Sequence, residues 1–340
     1  VMAHVYLTRN DIKLGFSQGQ LIVKDANGDT DYRLPFCNVD SVNVFGSPQL
    51  STQLIRECLL SSVPIGYYTE DGHYLGRAIS PDRADPFRQK QQAILTNDTE
   101  FCLVWAQLVI EAKLRNSLSL LESFFDLYTF SGEDLNGIKH SLKLVSKTTS
   151  IDELLGFEGG AAKCYFSCYS KLFSDLGFSF EGRSSRPPKD PVNALLSYGY
   201  SVLHRNIIGA IERHGLNPYF GFMHKLSRGH AALASDLIED YRAFIVDRSV
   251  ISFVRSGDVS SADFMFRDDG AVYMSRNLMR SFTDFLSGEM AKRDSFFRVY
   301  EDRFLYGFHA ALDKKLVSVV TAIESGEPMQ YQPFIWELDS

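Results

Sequence analysis

The sequence predicts an α+β protein, in which an N-terminal antiparallel β domain is followed by a larger all-α domain. Three observations support this class. Residues 1–80 consist of short runs of β-branched and aromatic residues separated by turn residues. Two prolines, Pro81 and Pro86, then interrupt regular structure. The sequence beyond these prolines shows helical periodicity. The length of 340 residues also exceeds the ~250–300 that a single hydrophobic core usually reaches, which favours two domains.

The predicted β domain covers residues 1–80. Its candidate strands are AHVYLT, IKLGF, QLIVKD, DYRLPF and DSVNVF, followed later by PIGYYT and HYLGRA. Turn signals such as Gln18-Gly19 separate neighbouring strands, which is typical of hairpins in an antiparallel sheet. One helix is expected over residues 51–62, because apolar residues repeat there at helical spacing.

The predicted helical domain covers residues 86–340. A Gly/Ser/Pro-rich stretch with three basic residues, GFSFEGRSSRPPKD at 177–190, is expected to be a loop. The hydrophobic periodicity predicts helices at 86–97, 99–117, 117–128, 134–147, 150–176, 189–214, 229–246, 247–255, 276–291 and 292–324.

Composition narrows the class of protein. The formal net charge is −7 and the pI is near 5.7, which argues against nucleic-acid binding by bulk charge but leaves room for a local basic surface. The five cysteines form no CxxC pair, which is typical of reduced thiols in a cytosolic protein. We find neither a signal-peptide pattern nor an apolar run of ~18 residues, so we expect a cytoplasmic protein without a membrane span.

Glu158 is the first candidate for chemistry. It shares a helical stripe with Leu154, Ala161 and Tyr165, and a carboxylate there is costly to bury without a metal, an arginine or a proton. The pair Gly159-Gly160 follows, which suggests that another backbone or a ligand approaches closely. A metal or catalytic role and a salt bridge to a core arginine both remain open.

A second candidate set lies in GFMHKLSRGHAALASDLIEDYR, at 221–242. His224 precedes a helix that carries Asp236 and Glu239 three residues apart. Both carboxylates lie nearly opposite the aliphatic face of that helix, among alanines. A histidine after a turn is often structural, and a charged face is usually solvated. However, small neighbours leave room for something to dock.

One imidazole with two or three carboxylates suits Mn²⁺ or Mg²⁺, with open positions for water and phosphate oxygens. A zinc site more often uses several His or Cys ligands. The residue types therefore point, weakly, to metal-assisted phosphoryl transfer.

Two groups of basic residues could contact phosphates. Lys113 lies near the end of a long amphipathic helix, and Arg183, Arg186 and Lys189 cluster in the 177–190 loop. Either group could equally be solvated charge. The loop is the better candidate, given the acidic background.

Four motifs in order, GFEGGAAKCYF, RPPKDPVNALLSYGYSVL, GLNPYFGFMH and SDLIEDYRAFIVD, resemble the CRISPR-associated endonuclease and integrase of spacer acquisition, the "Cas-one" family. The N-terminal stretch VFGSPQLSTQLIRECLLSSVPIGYYTEDG fits as well, so that the likeness covers nearly the whole chain. Many members have Arg at the position of His230 and Pro at that of Ala243. These departures touch none of the expected ligands.

The resemblance implies a metal held by Glu158, His224 and Glu239, with Asp236 as an additional acidic position. Mn²⁺ or Mg²⁺ is the expected cofactor. Tyr165 and Asn193, which lie in two of the motifs, join the basic residues as candidate DNA contacts.

The activity implied is insertion of short DNA fragments into a CRISPR array, by attack of a 3′-hydroxyl on a repeat phosphodiester, with related endonuclease activity. The implied partners are double-stranded DNA (prespacer and repeat), a second copy of the chain joined through residues 1–80, the small "Cas-two" protein and an accessory processing nuclease, all in a prokaryotic cytoplasm.

Two other functions are weighed against this one. A catalytically inactive DNA-architectural subunit of the same complex should have lost a ligand, whereas Glu158, His224 and Glu239 are all present. A hydrolase of small phosphorylated molecules would explain the site, but no nucleotide-binding loop is recognisable.

Overall fold

The computed structural model describes residues 3–70, 74–80, 84–124, 130, 132–292 and 307–336. The chain divides into two compact units, Val1–Ala84 and Asp85–Ser340. Among the described residues the first contains two sheets and one α-helix and the second is mainly helical, so the predicted α+β class is confirmed.

The first unit contains two four-stranded sheets. One has the order β1-β5-β7-β8 and the other the order β4-β3-β2-β6. The strands are β1 (Ala3–Leu7), β2 (Lys13–Ser17), β3 (Gln20–Lys24), β4 (Thr30–Pro35), β5 (Val39–Phe45), β6 (Gln49–Leu50), β7 (Ile65–Tyr68) and β8 (Tyr74–Ala78).

Strand pairing in this unit is mixed, and this corrects the prediction of a purely antiparallel domain. The hairpin β2–β3 and the pairs β3–β4 and β7–β8 are antiparallel as expected. The pairs β1–β5, β5–β7 and β2–β6 are parallel. Parallel neighbours need a long crossover, and helix α1 (Thr52–Leu60) lies in the connection from β5 to β7.

The second unit contains nine α-helices within the described residues. They are α2 (Pro86–Leu95), α3 (Thr99–Glu122), α4 (Gly132–Val145), α5 (Ile151–Lys171), α6 (Pro191–Arg213), α7 (Ala232–Ile238), α8 (Arg248–Arg255), α9 (Arg276–Ala291) and α10 (Phe308–Ser325).

Several predicted helix limits need correction. Helix α3 continues unbroken to Glu122, so no separate helix begins at residue 117 and that prediction is wrong. Residues 125–128 of the predicted helix lie outside the described residues. The helix predicted at 292–324 is confirmed for α10, while 293–306 lie outside the described part. A hairpin of β9 (Phe264–Phe266) and β10 (Val272–Met274) interrupts the domain that was expected to be all-α.

Three of the helices around the candidate site, α3, α5 and α6, begin at side-chain caps, whereas α7 has no side-chain cap. The side chains of Asp98, Ser150 and Asp190 accept hydrogen bonds from backbone N–H groups in the first turns of α3, α5 and α6. Pro191 opens α6, where its missing N–H costs nothing. These local signals fix where each helix starts, and thereby which side chains face inward.

The core of the second unit is centred on α3. Trp105 is fully buried, stacks on Tyr331 with ring centroids 4.1 Å apart, and meets Phe222 edge-on at 4.9 Å. Phe222 lies just before His224 and Tyr331 lies in the C-terminal segment. The core contact therefore ties three distant parts of the chain together around one helix.

Helix α7 does not continue to residue 246 as predicted. It ends at Ile238, and after three turn residues the chain forms a π-helical turn, Arg242–Asp247, which leads into α8. At 3.6 residues per turn, the side chains of Glu239 and Asp247 would lie about 80° apart on a regular helix. A π turn accommodates one extra residue. Glu239, Arg242 and Asp247 consequently line the same cavity.

No helix in the described part of the chain is long and apolar enough to cross a membrane.

Candidate metal site

Glu158 on α5 and Glu239 after α7 converge on one cation, the ammonium of Lys113 on α3. Lys113 Nζ lies 2.5 Å from Glu158 Oε1 and 2.6 Å from Glu239 Oε2. The side chains of Lys113 and Glu158 are 18% and 19% exposed, and that of Glu239 is 6% exposed. Two roles were considered for Glu158, a metal or catalytic role and a salt bridge to a core arginine. The structure shows a salt bridge, but its partner is Lys113 and not an arginine.

Arg242 is the second cation of this cluster. Its guanidinium donates to Glu239 Oε1 at 2.8 Å, and its Cζ lies 4.2 Å from the centre of the Tyr200 ring. Burial raises the pKa of Glu239, but the charges of Arg242 and Lys113 outweigh burial and lower that pKa to about 2. Glu239 is therefore an anion held between two cations.

Asp236 is fully buried and holds the ring of His224. Its Oδ1 lies 2.8 Å from His224 Nδ1 and accepts the His224 main-chain N–H, while Oδ2 accepts the N–H groups of Phe222 and Met223. These four bonds use the full acceptor capacity of a carboxylate. These contacts make Asp236 a group that positions His224, and its prediction as an additional metal ligand stays a prediction.

His224 is oriented by this contact. Because Nδ1 faces Asp236, the other ring nitrogen, Nε2, is left for another partner, and the side chain is 33% exposed. Burial lowers the pKa of His224, but the hydrogen bond to Asp236 and the negative charges of Asp236 and Glu239 outweigh burial and raise it. A carboxylate behind an imidazole is the usual way in which proteins orient a metal-binding histidine.

Gly221 allows the His224 segment to approach α7 closely. A Cβ at this position would lie 2.5 Å from the carbonyl carbon of Ala232 and 2.7 Å from the Leu233 nitrogen. Only glycine permits so close a backbone contact, which brings the following amides within reach of Asp236. Asp236 and Glu239 are both buried, so the alternative of a solvated acidic face is not realised.

Gly159 and Gly160 meet no neighbouring element among the described residues. Apart from the adjoining backbone of α5, a Cβ added at either position would meet no described atom within 4 Å. The close approach of another backbone is therefore not found here, whereas the approach of a ligand stays a prediction.

A cavity of about 130 Å³ lies next to the Lys113 cluster. Its far wall is a polar network in which Asp247, itself buried, accepts the hydroxyl protons of Tyr165 at 2.6 Å and Tyr200 at 2.5 Å. Burial raises the pKa of the Asp247 carboxyl despite these bonds and the nearby arginines. The cavity is therefore lined both by the ion pairs of the Lys113 cluster and by the hydroxyls of Tyr165 and Tyr200 that bind Asp247.

The donor set fits a hard divalent cation in chemistry. Two carboxylates already bracket a positive charge, and Glu239 Oε2 faces the Lys113 ammonium and no other donor among the described residues. The pKa of the oriented His224 imidazole is raised by the charge of Glu239 and lowered by that of Lys113. Nevertheless, no group of three or more His, Cys, Asp or Glu side chains in the described ranges is gathered closely enough to hold a metal. The position between the two carboxylates is taken by Lys113.

The candidate DNA contacts divide into two groups. Arg186 and Lys189 are exposed in the 177–190 loop and stay candidates. Arg183 is largely engaged: it donates to Ser184 and Ser197, and burial lowers its pKa.

Three other candidates are engaged by contacts within the protein. Asn193 is fully buried and bonded to Arg183, Gly182 and Asp190, so it shapes the loop. Tyr165 is 5% exposed, with its hydroxyl on Asp247. Lys113 faces carboxylates, not solvent.

The sequence did not point to a second buried network that adjoins Glu239. Asp240 Oδ2 accepts a hydrogen bond from Lys315 Nζ. It also accepts hydrogen bonds from the Tyr331 hydroxyl and the Phe334 N–H, each at 3.0 Å. Asn116 on α3 donates to the Asp240 carbonyl oxygen at 2.6 Å and to that of Phe334 at 2.8 Å. The C-terminal segment is thereby fastened to the residue next to a candidate ligand.

Comparison with known proteins agrees with the fold. The family model described as "CRISPR associated protein Cas1" matches residues 5–287. The "CRISPR-associated endonuclease Cas1" of Mycobacterium tuberculosis (strain CDC 1551 / Oshkosh) is 39% identical over 333 residues, which are 96% of each chain.

Two solved structures share the fold at lower identity. A casposase bound to integration product has a TM-score of 0.81 and 24% identity, over 100% of this chain and 96% of that one. A chain of a Cas6-RT-Cas1–Cas2 complex has a TM-score of 0.80 and 23% identity, over 99% of this chain and 36% of that one. With most of its length matched by the family model and by a close relative, the chain belongs to the Cas1 family of CRISPR-associated proteins.

Proposed function

We propose that this protein is a metal-dependent DNA endonuclease and integrase, which inserts short DNA fragments into a CRISPR array by attack of a 3′-hydroxyl on the repeat phosphodiester. One observation carries the proposal: Glu158 and Glu239 converge from separate helices on a single cation position, in a chain of the Cas1 family. The endonuclease name of the mycobacterial relative and the integration product bound by the casposase support the reaction class.

In this proposal Glu158, Glu239 and Nε2 of His224 hold Mn²⁺ or Mg²⁺. Such a metal, when bound, activates a hydroxyl and neutralises charge on a phosphodiester in the transition state. Asp236 fixes the ring orientation of His224 by the bond at 2.8 Å. Arg242 and Lys113 keep Glu239 ionised.

The proposed partners follow from the same comparison. They are double-stranded DNA as prespacer and repeat, a second copy of the chain, and the small Cas2 protein, which the name of one neighbouring complex includes. An accessory processing nuclease and a prokaryotic cytoplasmic location complete the proposal. The exposed Arg186 and Lys189 are the proposed phosphate contacts in the 177–190 loop.

The decisive experiment is a strand-transfer assay with labelled duplex, with and without Mn²⁺. We expect wild-type protein to join strands only with metal, and both Glu158→Ala and His224→Ala to abolish joining while remaining folded. Lys171→Gln is the matched control, since Lys171 lies on the same helix as Glu158 but forms an exposed pair with Asp134. Undiminished joining by His224→Ala would remove His224 from the mechanism.

A non-catalytic DNA-architectural subunit is the second candidate, and one observation favours it: Lys113 already fills the position between the two carboxylates. The same assay separates the candidates. A wild-type protein that binds duplex tightly but neither cuts nor joins it with Mn²⁺ would establish the architectural role.

A further inference from the structure

Lys113 is placed where a metal ion would otherwise sit. Its ammonium touches one oxygen of each carboxylate, at 2.5 and 2.6 Å, and comes from a third helix, α3. Without this charge, two carboxylates would face each other across a half-buried site, which is strongly unfavourable. Burial lowers the pKa of Lys113, but Glu239 and Glu158 outweigh burial and raise it, so the side chain stays charged.

The two cations of the cluster differ in their freedom to move. Arg242 has a second attachment, because its guanidinium lies over the Tyr200 ring and bonds the other oxygen of Glu239. Lys113 has a flexible four-carbon stem and a point charge, with no aromatic contact described for it. The adjoining cavity of about 130 Å³ exceeds the roughly 10–15 Å³ that one water needs on the same measure, so it has room for the end of a lysine side chain.

The geometry points to Lys113 as a displaceable counter-ion, which occupies the position between Glu158 and Glu239 in the metal-free protein and moves into the adjoining cavity when a divalent cation binds. This inference rests on the proposed metal site and deepens it. Metal binding is then an exchange of one cation for another. The metal-free protein stays folded with its ligands pre-positioned, and its affinity for metal is lowered by the competition.

The first test measures Mn²⁺ binding without DNA, by the electron paramagnetic resonance signal of free Mn²⁺. Lys113→Met and Lys113→Gln should bind Mn²⁺ about 5- to 150-fold more tightly than wild type, the usual range for coupled equilibria. The glutamine variant keeps a hydrogen-bond donor for both carboxylates, in case the methionine variant fails to fold. Arg115→Gln is the matched control on the same helix, where Arg115 pairs with Glu111, and should keep wild-type affinity.

The second test observes Lys113 itself. Amine labelling followed by mass spectrometry should show little modification of Lys113 in wild-type protein with EDTA, and several-fold more with saturating Mn²⁺. Labelling of Lys171, in its exposed pair with Asp134, should not change. Bound Mn²⁺ with unchanged Lys113 labelling would overturn the exchange.

The outcomes separate this inference from the proposed function. If wild-type protein binds Mn²⁺ in a Glu158-dependent manner but the Lys113 variants bind no more tightly, the counter-ion role alone is overturned. If neither wild type nor variants bind Mn²⁺, the metal site and the inference are overturned together.

Discussion

The carboxylate of Asp236 lies 2.8 Å from the ring nitrogen Nδ1 of His224, and also accepts three main-chain N–H groups from the segment that carries this ring. One buried side chain thus fixes both the loop and the imidazole at its end. The loop is held to α7 by hydrogen bonds to a charge, which are stronger than those between neutral groups.

Replacing Asp236 should therefore cost stability as well as activity. We expect Asp236→Ala to lower the free energy of unfolding by about 3 kcal/mol or more, because several buried N–H groups lose their acceptor. Urea unfolding followed by circular dichroism measures this loss. Asp152→Asn, on an exposed carboxylate, should change stability by less than about 0.5 kcal/mol.

Asp236→Asn separates positioning of the ring from folding. An amide retains the shape of the carboxylate but presents a donor to groups that need an acceptor, so we expect Mn²⁺ affinity to fall about 10- to 100-fold. Wild-type Mn²⁺ affinity in this variant would show that Asp236 does not orient His224.

Glu239 should make the metal-free protein sensitive to acid. Its pKa is lowered in the folded state from 4.5 to about 2, so its contribution to stability is complete above pH 4.5 and is lost as the pH falls towards 2. The shift corresponds to about 3 kcal/mol. We expect Glu239→Gln to flatten the dependence of unfolding free energy on pH in this window, measured with EDTA. The exposed Glu327→Gln should keep the wild-type slope.

The loop at 177–190 offers a test of DNA contact by salt dependence. Arg186→Ala with Lys189→Ala should weaken duplex binding and reduce the slope of log K against log[salt] by about 2, since each lost phosphate contact changes the slope by about 0.9. Fluorescence anisotropy over a salt series measures both. Arg183→Ala is a poor probe, because Arg183 bonds Ser184, Asn193 and Ser197. An unchanged slope in the double variant would exclude the loop as a phosphate contact.

The network at Asp240 predicts an order of destabilisation. Lys315→Met leaves a fully buried carboxylate without its counter-ion and should cost about 3–5 kcal/mol. Tyr331→Phe removes one hydrogen bond to that carboxylate and should cost about 2 kcal/mol. Lys171→Met, from an exposed pair, should cost less than about 1 kcal/mol. Thermal unfolding that ranks Tyr331→Phe above Lys315→Met would contradict this order.

Much of the fold follows from local signals in the sequence. Helix α5 begins where Ser150 can cap it, and Leu154, Ala161 and Tyr165 are buried on the stripe that its periodicity predicts. The hairpin at Gln18-Gly19 forms as its turn residues indicate, and both of these residues have positive φ. Strand direction was not predictable in this way, because it depends on the path of a connection.

The sequence predicted the two carboxylates of the site, Glu158 and Glu239, but not their cationic partners, Lys113 and Arg242. Glu158 is conspicuous because a carboxylate interrupts an apolar stripe. Lys113 looks like any basic residue on an amphipathic helix, and only the packing of α3 against α5 brings it to Glu158. The burial of Asp236 was likewise not predictable. Its partners include main-chain N–H groups, which every residue except proline has, so the sequence does not indicate them.

The π-helical turn at Arg242–Asp247 makes this stretch tolerant of a change in length by one residue. Removing a single residue from it would restore an ordinary α-helix, because a π turn holds one residue more than an α turn. Glu239 and the aspartate that accepts from Tyr165 and Tyr200 would then be seven residues apart, which places them about 20° apart on a regular helix. In an alignment of relatives, a one-residue gap here would therefore be compatible with the same cavity.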